Sequence, residues 1–180
     1  VSAGVYYNLK NDYTFSMEGY YKWMENLLEY RDGYDPFITS SSWKNKITAG
    51  QGWSYGLDLM ITKETGRLTG WIGYGLMWSN IKVEEINQGK VYPAKYDNRH
   101  KLNLVANYKL NKHIELNGSW TFSTGNRVTL SLENYEDLES AGFPPEIAPS
   151  DPYKDPTGIN YFDTKNNFRL PNYHRLDLGI

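Results

Sequence analysis

Cysteine is missing from all 180 residues. That excludes a disulfide scaffold, a cysteine-ligated zinc site and thiol catalysis. Long apolar runs are missing as well. Mean hydropathy is −0.67, and no stretch approaches the ~18 apolar residues of a membrane helix. There is no basic excess: 19 Lys and Arg stand against 21 Asp and Glu, for a formal charge of −2. That balance argues against a nucleic-acid binder. No signal-peptide pattern is read at the start, where Val1 opens directly into an alternating segment. What the chain does have is 16 Tyr and 6 Trp, too many rings for so polar a sequence with an ordinary aliphatic core.

The dominant pattern is period-two alternation, which predicts strands with two unlike faces. Seven such runs occur, at about 2–10, 13–24, 53–62, 67–79, 100–110, 114–123 and 173–180. Each is close to the ~9–11 residues of a tilted strand that crosses a bilayer. Tight links around Lys10-Asn11-Asp12, Lys63-Glu64-Thr65-Gly66 and Asn111-Lys112-His113 alternate with long ones at about 25–52, 80–99 and 124–172. All eight prolines lie in the long links, as expected if the runs are hydrogen-bonded ladders. Every second connection being long puts the long loops on one side, the habit of outer-membrane barrels. Two loop stretches have helical spacing: Trp23, Met24, Leu27 and Leu28, and Leu132, Tyr135 and Leu138 with Ser131 as cap and Gly142 as stop.

One face of every run is free of charge. It carries, for example, Val5 and Tyr7, Phe15 and Met17, Leu57 and Leu59, Ile72 and Leu76, Leu102 and Leu104, Leu116 and Trp120, and Leu176 and Leu178. The other face holds Glu18, Lys22, Asp58, Lys101, Lys109, Glu115, Arg175 and Asp177 among Ser, Thr, Asn and Gly. Two architectures fit that segregation. In a soluble sandwich the apolar face would be the core. In a barrel it would face lipid, with the polar face lining a wet lumen. The rings favour the barrel. Tyr21, Trp23, Trp53, Tyr55, Trp78, Trp120 and Phe122 gather toward the long-loop end, and Tyr13, Phe15 and Tyr108 toward the tight turns, like two interfacial girdles. Trp71, on the polar face, does not fit. Seven is an odd count, so the fold expected is an all-β antiparallel transmembrane β-barrel segment, residues 1–180 being part of a larger barrel domain.

Tyr92-Pro93-Ala94-Lys95-Tyr96-Asp97-Asn98-Arg99-His100-Lys101-Leu102-Asn103-Leu104 resembles the barrel of TonB-dependent outer-membrane receptors of the Bacteroidetes type. So do Ser54–Leu59, Thr69–Tyr74, Phe122–Asn126 and Asn172–Leu178, in order, over about residues 13–180. The resemblance implies the later part of a 22-stranded barrel in the bacterial outer membrane. It implies uptake of a scarce nutrient such as a siderophore, glycan, peptide or cobalamin-like compound. Its partners would be outer-membrane lipid, the TonB complex, acting through a plug domain not in these residues, and in some forms a surface substrate-binding lipoprotein. No cofactor, metal or nucleic acid is expected. The alternatives are a secreted soluble β-protein that binds polysaccharide and a passive porin-type barrel.

No catalytic residues are expected. The last long loop is acidic, but carboxylates on a proline-rich loop lack the rigid spacing a glycosidase needs. Three scattered histidines have no metal-ligand spacing. Asp97-Asn98-Arg99-His100 and Tyr173-His174-Arg175 each stand where a long loop enters a strand. Binding an anion or a lipopolysaccharide phosphate is one role for them; Arg and His tying the loop base to lumen carboxylates is the favoured one. Loop aromatics are the candidate ligand contacts: Trp43, Tyr92, Tyr135, Phe143 and Tyr153, since flat rings bind sugars or ring systems at low entropic cost.

Overall fold

In the computed structural model, residues 1–9, 12–30, 47–136, 158–161 and 163–180 are described. They form strands β1 (Ser2–Leu9), β2 (Tyr13–Tyr30), β3 (Ile47–Lys63), β4 (Leu68–Lys82), β5 (Tyr92–Pro93), β6 (His100–Lys109) and β7 (Glu115–Ser123). Further along are β8 (Arg127–Val128), β9 (Glu133–Glu136), β10 (Gly158–Tyr161), β11 (Phe168–Arg169) and β12 (Tyr173–Gly179). Among the described residues the one helical piece is a 3₁₀ turn at Asn87–Gly89. The chain is therefore all-β.

The seven alternating runs all become strands of one antiparallel sheet, in the order β1-β2-β3-β4-β6-β7-β12, with β5 beside the end of β4. The sheet does not close on itself; β1 and β12 are its edges. β1–β2, β3–β4 and β6–β7 pair across tight turns, and β2–β3, β4–β6 and β7–β12 across the long links. Gly66 takes φ +97° in the β3–β4 turn, a conformation a side chain resists. In the β6–β7 turn the Asn111 side chain accepts the N–H groups of His113 (2.8 Å) and Ile114 (2.9 Å), an Asx turn. Adjacent tight turns are linked by a hydrogen bond from the Thr65 hydroxyl to the Asp12 carboxylate.

The register keeps each face intact across the sheet. Tyr7, Phe15, Ile61, Ile72, Leu104, Trp120 and Leu176 are successive cross-strand partners. A slip of one residue at any ladder would have turned that row to the polar side.

Three strands are longer than the sequence pattern predicts. β2 runs on through Tyr30, β3 begins at Ile47 and β4 reaches Lys82, so the first long loop is narrower than 25–52. The expected helix at Trp23–Leu28 is strand with a β-bulge. Met24 pairs with Gly52 and Leu27 with Gly50, so Glu25 and Asn26 together oppose Gln51. Asn26 absorbs the bulge at φ 56°. The bulge inserts one residue into the alternation, and that phase change gives Trp23, Met24, Leu27 and Leu28 their helical spacing. The second expected helix is also replaced: residues 133–136 are a strand paired with β10. Leu138 and Gly142 lie outside the described residues.

No layer covers the apolar face among the described residues. Val5 (66% exposed), Leu176 (61%) and Leu178 (78%) are open, and Met17, Ile61 and Ile72 are exposed too. Among the described residues the buried apolar ones are Ile81, Val83, Ile86 and Tyr92, with Leu27 and Ala94 packed against them. This small core lies at the long-loop end. Met24, Gly52, Ile81 and Tyr92 are successive cross-strand partners, so there the polar-face parity turns apolar and holds the loop down.

Candidate functional site

Rings line the long-loop end of the uncovered face, two pairs as register partners and one along β7. Trp23 stacks on Trp53 with centroids 5.8 Å apart, Tyr55 stacks on Trp78 at 5.4 Å, and Trp120 leans on Phe122 at 6.3 Å. The Tyr74 hydroxyl and His100 Nδ1 share a hydrogen bond of 2.8 Å, which gives an otherwise apolar row a satisfied polar pair. Offset ring pairs of this kind add stability beyond their buried area.

On the opposite face, Gly4, Glu18, Asp58, Gly75, Lys101 and Ser123 form one cross-strand row. The row borders an open trough of ≈ 470 Å³ that Glu18, Asp58 and Lys101 line. Glu18 directly opposite Asp58 is a like-charge pair, an arrangement that weakens a sheet unless water screens it. Trp71, unexplained in the sequence, has its indole against Gly73: a Cβ there would lie 3.3 Å from Cζ3. The missing side chain leaves room for the ring to lie flat on the polar face.

The densest polar cluster sits where the long loops meet the sheet, around Asp97. This residue is fully buried. Its Oδ1 accepts the Ser79 N–H at 3.1 Å. Its Oδ2 faces three guanidinium groups: Arg169 Nη2 at 2.8 Å, Arg99 Nη2 at 3.1 Å and Arg127 Nε at 3.4 Å. Arg169 Nη1 also donates to the carbonyls of Asp97 (2.5 Å) and Gly125 (3.0 Å). The Arg99 guanidinium lies 4.9 Å from the Trp78 ring centroid. One carboxylate therefore joins β4, the loop before β6, and the two-residue β8–β11 ladder.

Asparagines complete the joint. Asn166 donates its N–H to the Thr129 hydroxyl (3.0 Å) and its side-chain amide to the Pro93 carbonyl (2.8 Å). Asn167 bonds both backbone groups of Leu130, each at 2.9 Å. Lys165 reaches Glu29 at 2.8 Å and the Tyr30 carbonyl at 3.1 Å.

The structure separates the two basic segments that the sequence treats as equivalent. Arg99 pairs with Asp97 of its own segment and His100 with the Tyr74 hydroxyl, instead of with carboxylates of the polar face. Arg175 pairs at 2.8 and 2.9 Å with Asp177 on its own strand and takes no part in the cluster.

Of the candidate ligand aromatics, Tyr92 and Tyr135 are among the described residues. Tyr92 is 1% exposed within the small core, and its ring is covered instead of presented to an arriving ligand. Tyr135 is in β9, opposite Ile159. Trp43, Phe143 and Tyr153 lie outside the described residues. Arg127 and Arg169 were missed in the sequence because they stand 30 and 72 residues beyond Asp97. The recurring Asn98-Arg99 and Asn126-Arg127 dipeptides at loop bases were the available signal. No family model, curated protein or solved structure matches the chain.

Proposed function

We propose that this chain is part of the barrel of a TonB-dependent outer-membrane receptor, an importer with no chemistry of its own. The observation that carries the membrane half of this reading is the uncovered apolar face. It crosses all seven strands in register and is bordered by stacked rings at the long-loop end. A soluble sheet would pack such a face under a second layer, and the described residues supply none. Lipid is a solvent in which that face is favourable and the opposite, charged face lines water. β2, β3 and β4 are 18, 17 and 15 residues long, beyond what a bilayer requires. Their excess lies at the long-loop end, where it would stand clear of the membrane and carry the loop cluster.

The receptor half rests on the ordered resemblance of several segments. In this reading the apolar face anchors the barrel, the polar face surrounds the plug, and the long loops capture a nutrient outside the cell.

Preparing the chain without detergent tests the membrane half. Aggregation relieved only by detergent, with β-type circular dichroism, is the expected result. A soluble, folded, β-rich monomer would overturn it in favour of a secreted binding module. The receptor half is tested by the full-length coding sequence, which should place a plug domain upstream of residue 1. A porin would have none.

A further inference from the structure

The cluster around Asp97 is unbalanced. Three guanidinium cations face one carboxylate. The Asp97 side chain is 1% exposed, whereas those of Arg99, Arg127 and Arg169 are 31%, 23% and 24% exposed. Solvent therefore meets the cations and not the anion beneath them. Each guanidinium has more N–H donors than these contacts use. Nε of Arg99 and Nε of Arg127 are buried without a hydrogen-bond partner, and no other carboxylate among the described residues pairs with any of the three. Fixed cations over a low-dielectric base focus a positive potential outward.

We propose that the exposed side of this arginine cluster is a binding site for a phosphate group. Guanidinium forks match the oxygens of a tetrahedral phosphate and bind it with charge-assisted hydrogen bonds. A dianion would balance the surplus of two positive charges. Asp97 is then the floor that holds the three arginines convergent, and the phosphate is their second anion. The Arg99–Trp78 contact puts the site next to the ring-lined border of the apolar face. A phosphate on a lipid headgroup and one on a free solute are both within its chemistry. The proposal does not depend on the membrane reading, because a soluble chain with this cluster would bind free phosphate too.

The test uses the full chain in neutral detergent micelles at low salt. Equilibrium dialysis with radiolabelled inorganic phosphate reads the solute arm. Partition of the chain with micelles doped with phosphatidic acid, against phosphatidylcholine, reads the headgroup arm. Saturable binding of one phosphate per chain in either arm is expected. Arg127→Gln, at the longest of the three contacts, should weaken it about tenfold, and Arg127→Lys should restore most of it. Thermal melts of both variants control for folding. If Arg127→Gln lowers the melt, Arg99→Gln replaces it, with the same expected loss. Binding in the phosphatidic acid arm alone assigns a headgroup; binding of inorganic phosphate assigns a solute. Absence of saturable binding in both arms overturns the proposal, as does wild-type affinity in both glutamine variants.

Discussion

Glu18 and Asp58 face each other directly across the β2–β3 ladder, with Gly75 and then Lys101 next along the same row. Two carboxylates at opposed positions repel, by roughly 0.2–1 kcal/mol in sheets. Glu18→Gln should therefore stabilise the folded chain by about 0.5 kcal/mol. The gain should shrink at high salt, because screening already weakens the repulsion. Urea titration in micelles at two ionic strengths measures both; a loss of stability in the variant would mean that Glu18 has a cationic partner.

Leu59 and Ile72 lie on the uncovered face, and Ser119 lies on the opposite one. In a lipid-facing assignment Leu59→Arg or Ile72→Arg should cost ~2–4 kcal/mol of folding stability in bilayers, as a cation at the midplane of a barrel's outer face does. Ser119→Arg should cost much less. Equal tolerance at both sites would sink that assignment.

Asp97→Asn leaves three guanidinium groups around an amide. Removing one partner of a buried ionic cluster costs about 3–5 kcal/mol. The loss should be local. β8, β11 and the loop before β6 should become accessible to protease, while the β2–β3–β4 ladders keep their amide protection. Hydrogen exchange resolved along the sequence distinguishes that pattern from global unfolding.

Gly73→Val should push the Trp71 indole off the sheet, since even a Cβ would lie 3.3 Å from the ring. A destabilisation of about 1–3 kcal/mol is expected from the overpacking. In a Trp71→Ala background the same change should be nearly neutral. The double-mutant cycle isolates the contact.

The extent to which these features were legible varies with the range of the interaction that makes them. Period-two alternation is a local property, so all seven long strands, the tight turns and the register of the faces could be read directly. The bulge at Asn26 could not. One inserted residue shifts the alternation, and over six residues a shifted strand and a helical turn have the same apolar spacing. Trp71 looked misplaced because its explanation is the absence of a side chain at Gly73. The Asp97 cluster is the least legible of all. Its arginines come from three separate segments, and only the folded meander puts Arg127 and Arg169 beside Asp97. For the loop aromatics, position in a loop did not imply exposure: Tyr92 pairs with Ile81 and is covered by the small core.

The bond between Lys165 and Glu29 spans 136 residues. Its remoteness bears on the order of events in folding. Three ladders of the meander, β1–β2, β3–β4 and β6–β7, need only tight turns to close, whereas β2–β3, β4–β6 and β7–β12 close the long links. The joint above them draws on Glu29, Asp97, Arg127, Lys165 and Arg169, and loop-closure entropy delays such distant contacts until the intervening chain is in place. The three tight hairpins should therefore zip early while the outer joint locks last. A slow final phase, abolished in Asp97→Asn and absent from the signal of the stacked rings, would be its kinetic trace.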